Sequence, residues 1–339
     1  DNLARNAGYT DPIRLTWSME SLQAQQLLSN AQELVFDEVK IWLEVDEEGK
    51  SSVFVSKKGK LLKNIPAKLR KDKEVLKLKD FNKKLTEQYR RTRKSLEHAM
   101  VNQDEFTFEE IIGLSNHPVV KPMLKKLVLK SNSNNLGLWK ENALHDVDGD
   151  VFNTNEKDTF YIAHCVDLYE SKKWSAWQRY FFQNEWKQPF KQVYRELYAP
   201  TPDEEKEGSV SKRYAGHQVQ PKKTLALLKG RGWTVDYDNG LQKVIHKHHI
   251  IVELYSLADW FSPADVENPT LETIRFYHKK DYAPIPFSEV PKHVFSEVMR
   301  DVDLVVSVAH AGGVDPEASL STVALRKVIA EESAQLFKL

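Results

Sequence analysis

Cysteine is nearly absent: Cys165 is the single one in 339 residues. It has no partner for an internal disulfide, a zinc site built on several cysteines is excluded, and a reducing compartment is expected. Also lacking is any apolar run of about 18–20 residues, the length a bilayer-spanning helix needs. The opening residues, Asp1-Asn2-Leu3-Ala4-Arg5, contain no signal-peptide hydrophobic region. A cytoplasmic protein with no membrane partner is the expectation. Net charge is missing as well: 49 basic and 49 acidic residues cancel, so any electrostatic recognition must be local rather than a property of the whole molecule. Finally, the sequence has no Gly-x-Ser-x-Gly elbow, phosphate loop, dinucleotide Gly-x-Gly-x-x-Gly or His-Glu-x-x-His helix. No cofactor is implied, and catalytic residues stay unassigned.

What is present is the composition of a folded protein, 41% hydrophobic and 10% aromatic, with length enough for two domains. Residues 33–62 alternate apolar and polar, as in Val39, Ile41, Leu43 and Val45, then Val53 and Val55, with turn chemistry at Glu47-Glu48-Gly49-Lys50; this predicts a β-hairpin. From Lys73 to Met100 apolar residues recur every three or four positions, which predicts a long amphipathic helix. A capped short helix is expected at Thr107, another over Pro118–Lys130, and a loop over 131–135. Strands are expected at Leu136–Lys140 and Phe160–Cys165, then a helix over Ser171–Glu185 and an exposed loop over Thr201–Ser211. A helix end at Leu225–Lys229 precedes strands at Trp233–Tyr237, Leu241–His246, His249–Tyr255 and Thr273–Tyr277. Helices are predicted from Pro291 to Val302 and from Ser319 to Phe337, with flexible Ala311-Gly312-Gly313 between them. Hairpins mixed with helices, rather than regular alternation, place the chain in the α+β class. The expected domains are 1–150, with the hairpin and the long helix, and 151–339, with the boundary in the loop-rich region 142–158.

Several constellations could carry chemistry. Between Lys57 and Lys94 sixteen Lys and Arg face only four acidic residues. Lys77, Lys84, Arg91 and Lys94 are the candidate nucleic-acid contacts if they share an open face, although a solvated helix face is the simpler reading. Asp146-Val147-Asp148-Gly149-Asp150 fails the spacing of a calcium loop, because Gly149 comes early and Lys157 stands where the closing glutamate belongs; a β-turn is expected. His246 and His248 would share one face of a strand, but no third ligand is signalled and no metal site is assigned. His164 and Cys165, adjacent on an expected strand, would point to opposite faces and so are not a base and its nucleophile. Gln188, Gln192, Arg195, Glu196, Arg213 and His217 gather within thirty residues. They form a candidate ligand-binding set in which the arginines clamp a phosphate or carboxylate and His217 moves a proton. The favoured alternative is a set of turn and ion-pair contacts, with Gly216 supplying a backbone conformation barred to other residues.

Three stretches carry a resemblance: Gln188-Pro189-Phe190-Lys191-Gln192-Val193-Tyr194-Arg195-Glu196-Leu197-Tyr198, Arg213-Tyr214-Ala215-Gly216-His217 and Gly230-Arg231-Gly232-Trp233. Together they resemble the bacterial family called domain of unknown function 4132, found in large proteins described as regulators of molybdate metabolism. The likeness extends from Thr16-Trp17-Ser18 to Trp233, and Phe295–Leu304 resembles the start of a second uncharacterised tail module. It implies that the chain, which starts with Asp rather than Met, belongs to a longer polypeptide whose other domains are its partners. It carries no reaction and no catalytic residue. The function expected is therefore a regulatory or interaction module, with a nucleotide- or phosphate-binding domain, catalytic or not, at residues 188–217, or nucleic-acid binding through the basic helix, as the alternatives.

Overall fold

The computed structural model describes residues 6, 12–236, 240–256, 258, 260–264 and 268–314. It is a mixed α+β fold in two compact units, residues 1–195 and 196–339.

The first unit begins with α1 (Pro12–Asn30), followed by an antiparallel meander of β1 (Leu34–Phe36), β2 (Val39–Val45), β3 (Ser51–Lys57) and β4 (Lys60–Leu61). Alternation sends Val39, Ile41 and Val55 inward, and Ile41 pairs directly with Val55. The β2–β3 turn is held by the Asp46 carboxylate, which accepts the Glu48 and Lys50 amides at 2.9 Å each. Gly49 is required there: its φ is +85°, and a Cβ would come within 2.8 Å of the Val119 carbonyl. The long helix α2 (Lys73–Asn102) starts where Asp72 accepts the Glu74 and Val75 amides and ends at Gln103, whose φ is +54°. Val75, Leu78, Leu85, Leu96 and Met100 form its buried face.

Strand β5 (Phe106–Thr107) leads into α3 (Phe108–Asn116), opened by a reciprocal capping box between Thr107 and Glu110. After α4 (Val120–Leu124) come β6 (Val128–Ser131), β7 (Leu136–Lys140), β8 (Ala143–His145), β9 (Val151–Asn153) and β10 (Thr159–Ile162). With β5 they form an antiparallel sheet ordered β5-β10-β6-β7-β8-β9. Trp139 meets Phe160 edge-on at 5.3 Å in the core beneath α2 and α3. Helices α5 (Cys165–Glu170) and α6 (Trp174–Gln183) follow.

In the second unit, α7 (Pro202–Glu207), β11 (Val210–Ser211), β12 (His217–Val219), α8 (Pro221–Lys229), β13 (Trp233–Asp236), β14 (Gly240–Ile245), β15 (Ile250–Tyr255), β16 (Thr273–His278), α9 (Lys292–Val308) and β17 (His310–Val314) succeed one another. The antiparallel sheet runs β11-β16-β15-β14-β13, and β12 pairs with β17. Val252, Leu254, Ile274 and Phe276 share a core with Phe295, Val298, Met299 and Val302 of α9. Asp301, on α9 and 3% exposed, is a hub: it accepts from Trp233 Nε1 at 2.9 Å and Lys243 Nζ at 2.8 Å, and pairs with Arg231 at 3.2 Å. The Gly230–Trp233 motif thus anchors α8 and β13 to α9.

Several expectations are corrected. The unit boundary falls at 195/196 rather than near 150, because the turns between 142 and 158 connect strands of one sheet. Pro118–Lys130 is helical only over α4 and then becomes β6, an inner strand. The expected loop at 201–211 contains α7, because Thr201 and Glu204 form a capping box and proline fills the first helical position. Ala311–Gly313 lies in β17. The helix expected over Ser319–Phe337 lies outside the described residues.

His117, 1% exposed between α3 and α4, accepts the Val119 amide on Nδ1 at 3.1 Å. Its proton therefore sits on Nε2, which has no partner among the described residues. Burial pushes its pKa down to about 4. Since the unfolded value is near 6.5, the unfolded chain takes up the proton first as pH falls. This contribution is complete above about pH 7 and is lost between pH 6.5 and 4, amounting to about 2 kcal/mol at pH 5. Urea denaturation at pH 7 and pH 5 should show that loss, and His117→Gln should remove most of it.

Candidate binding cleft

After α6 the chain runs from Lys187 to Arg195 without a regular element, so its polar groups need partners supplied by side chains. Gln192, 0% exposed, supplies the central set. Its Oε1 accepts the Val128 amide at 2.9 Å, while Nε2 donates to the Val128 and Ala163 carbonyls at 2.8 Å each. Gln188 donates to the Lys126 carbonyl at 2.9 Å and to Gln192 Oε1 at 2.8 Å, and accepts the Val193 amide at 2.9 Å. The Val193 carbonyl accepts from Trp174 Nε1 at 2.7 Å and from Gln178 at 2.9 Å. Arg195, 2% exposed, pairs with Glu97 at 3.0 Å.

Of the six candidate ligand-binding residues, Gln188, Gln192 and Arg195 fall in the first unit and Glu196, Arg213 and His217 in the second. Gln188 and Gln192 touch each other. Glu196 accepts from Arg300 Nε at 2.9 Å. Arg213 forms a two-point pair with Glu204, both side chains under 10% exposed, and donates to the Ala199 carbonyl at 2.6 Å. His217 is buried, its ring 5.8 Å from that of His310, beside Gly216 at φ +82°. The arginines thus carry contacts internal to the fold.

The segment they fix forms one wall of a cleft of about 740 Å³ in the first unit. Tyr89 and Arg93 of α2, Lys126, Phe181 and Phe182 of α6, Trp186, and Lys187 to Lys191 with Tyr194 line it. Phe182 is 77% exposed and Tyr194 47%; the Tyr194 hydroxyl donates to the Gln178 carbonyl at 2.7 Å. Five basic side chains, Lys50, Arg93, Lys126, Lys187 and Lys191, outnumber the acidic Glu48 and Glu185. Lys50 pairs with Glu48, whose hydrogen bond raises the lysine pKa. The sequence held a clue to this cleft in Tyr180-Phe181-Phe182: neighbours on a helix point to different faces, so Phe181 is buried and Phe182 is left outside.

The outer surface of α2 leads to the cleft. Lys77, Lys84 and Arg91 are exposed but paired with Glu74, Asp80 and Glu20, at 2.9, 2.8 and 2.7 Å. Lys94 is exposed and shares the side opposite the buried stripe with Lys79, Lys83 and Arg90. None of these four has an ion-pair partner among the described residues, and Glu87 is the acidic residue in their row.

Other candidates resolve locally. The Asp146 carbonyl accepts the Gly149 amide at 3.2 Å in a turn, while its carboxylate accepts the Val147 amide and pairs with Lys173. His246–His248 form a 3-10 turn instead of continuing a strand, and His248 Nε2 lies 3.2 Å from His293 Nε2. His164 caps α5 rather than lying on a strand, so Cys165 Sγ comes within 3.7 Å of its Nδ1. Both residues are 0% exposed, which leaves a substrate no approach. Among the described residues no group of three His, Cys, Asp or Glu could hold a metal, and no helix is long and apolar enough to cross a membrane.

Gln192→Ala leaves the Val128 amide buried without an acceptor and should cost about 2–3 kcal/mol in urea denaturation. Arg213→Ala strands the Glu204 carboxylate and should cost about 3–5 kcal/mol. Tyr194→Phe, at an exposed hydroxyl, should cost under about 1 kcal/mol.

No curated protein and no solved structure shows significant similarity to the chain. The family described as a domain of unknown function, DUF4132, matches residues 59–233, a stretch that contains α2, the six-stranded sheet, the cleft wall and the motifs from Arg213 to Trp233. That is more than half of the chain, which belongs to the DUF4132 family.

Proposed function

We propose that this chain is a non-catalytic interaction module of a longer bacterial cytoplasmic protein, and that it engages an anionic partner through the cleft of the first unit. One observation carries the reading. The polar side chains of Gln188, Gln192 and Arg195 are occupied in fixing the wall, while the cleft exposes the Phe182 ring and the Lys187 ammonium, with Arg93 exposed but donating to the Pro189 carbonyl. A site for proton transfer near neutral pH would bring an imidazole or a perturbed carboxyl into the cavity. Here the ionisable lining groups whose pKa departs from the ordinary value are Lys50, Tyr89 and Tyr194, all shifted upward and away from neutrality.

Because the chain carries no net charge, retention on heparin, a generic polyanion, reports a local patch rather than overall attraction. The full chain should be retained at about 50 mM salt and released by about 200 mM. Lys187→Glu with Lys94→Glu, at two exposed side chains, should abolish retention without altering thermal unfolding; Arg93 also donates to the Pro189 carbonyl, so its reversal would disturb the wall itself. Passage of the wild type straight through at low salt, or retention unaffected by the charge reversals, would sink the proposal.

A further inference from the structure

We infer that the anionic partner is a single-stranded nucleic acid whose phosphates follow the outer face of α2 and whose bases lie against the aromatic groups of the cleft. The inference rests on the preceding reading of the cleft and adds the identity of what occupies it.

The arrangement of charge favours a linear polyanion. Lys79 and Lys83 are about 6 Å apart along the helix axis, as are Arg90 and Lys94, and the row spans about 22 Å. Successive phosphates of an extended strand fit the spacing within each pair. Glu87 stands between the pairs and would repel a phosphate there, so the grip falls at the two ends of the row. At the Lys94 end the next residue back is Arg93, which lines the cleft. The cationic row and the cleft therefore meet on consecutive residues of one helix, Arg93 donates to the Pro189 carbonyl of the segment that lines the cleft, and Lys187 of that segment adds positive charge.

The aromatic groups distinguish a nucleic acid from an acidic peptide. Phe182 leaves most of its ring in water, which costs hydrophobic stabilisation and has no use within the fold. Trp186 is partly buried and fixed edge-on to Tyr180 and Phe181 at 5.8 and 6.0 Å, giving the cleft a rigid floor. A flat base stacks on such a ring whatever its sequence. Carboxylates of a peptide would satisfy the lysines but leave Phe182 uncovered. Duplex is disfavoured because its bases are already stacked on one another and present only their edges.

The test is fluorescence anisotropy with the full chain and a labelled dT strand of about 12 nucleotides, against a duplex of equal length and against poly-glutamate. The strand should bind more tightly than the duplex and should lose on the order of 100-fold in affinity between about 50 and 200 mM salt. Phe182→Ala, at an exposed position that folding does not need, should weaken strand binding about tenfold or more while leaving the salt slope unchanged. Lys79→Glu with Lys83→Glu should flatten the slope. Equal binding of strand and duplex with no effect of Phe182→Ala overturns base stacking, while sensitivity to Lys187→Glu would preserve the anionic-partner reading. Poly-glutamate that binds as tightly and displaces the strand overturns the nucleic-acid assignment in favour of an acidic protein. Failure of every polyanion to bind removes both.

Discussion

The side-chain amide of Gln192 is the constraint on which the cleft wall of the first unit depends. A segment without helix or strand still carries a donor and an acceptor at nearly every residue, and a buried one left unpaired costs as much as a lost hydrogen bond. Gln192 substitutes for a β-strand, reading both the amide and the carbonyl of Val128 and bonding the carbonyl of Ala163 as well. Gln188 repeats the device four residues earlier in the chain, bonding the Lys126 carbonyl and the Val193 amide. The result is a loop as fixed as the sheet beside it, so that Pro189, Phe190 and Tyr194 form a standing wall and not a flap. A preformed wall matters for binding because the ordering entropy has already been met in folding.

The second unit uses a different device for the same end. Asp301 is a buried carboxylate with a tryptophan, a lysine and an arginine arranged around it. Removing that charge's partners would be costly, since a buried ion is tolerated only when fully satisfied. Arg213 and Glu204 repeat the pattern, with Ser211 donating to the same carboxylate. Motif residues that look chemically active in a string of letters are thus retained in this fold as internal ties. Arginine suits the role because its planar fork meets a carboxylate at two points.

The long helix and the β2–β3 hairpin were legible in the sequence because each rests on a local period, 3.6 for α2 and 2 for β2 and β3. The division at 195 was not legible, because a loop-rich stretch looks alike whether it joins two units or three strands of one sheet. Nor was α7 legible, since a six-residue helix has no room to display a period and is specified by its cap and its proline alone. The basic region was visible as composition. Which of its cations remain unpaired was not, because Glu20 reaches Arg91 from 71 residues away.

By itself, then, the sequence determined the α+β class, the family, the basic bias of α2 and the absence of the common enzyme signatures, all of which depend on neighbours in the chain. Tertiary structure alone decided which distant groups Gln192 and Arg195 contact, that Phe182 stands in the open and that Lys79, Lys83, Arg90 and Lys94 form a row. Those outcomes depend on which partner fills each hydrogen bond or ion pair. Partners such as Val128, Ala163 and Glu97 come from elements far away in the sequence, and folding alone brings them within 3 Å.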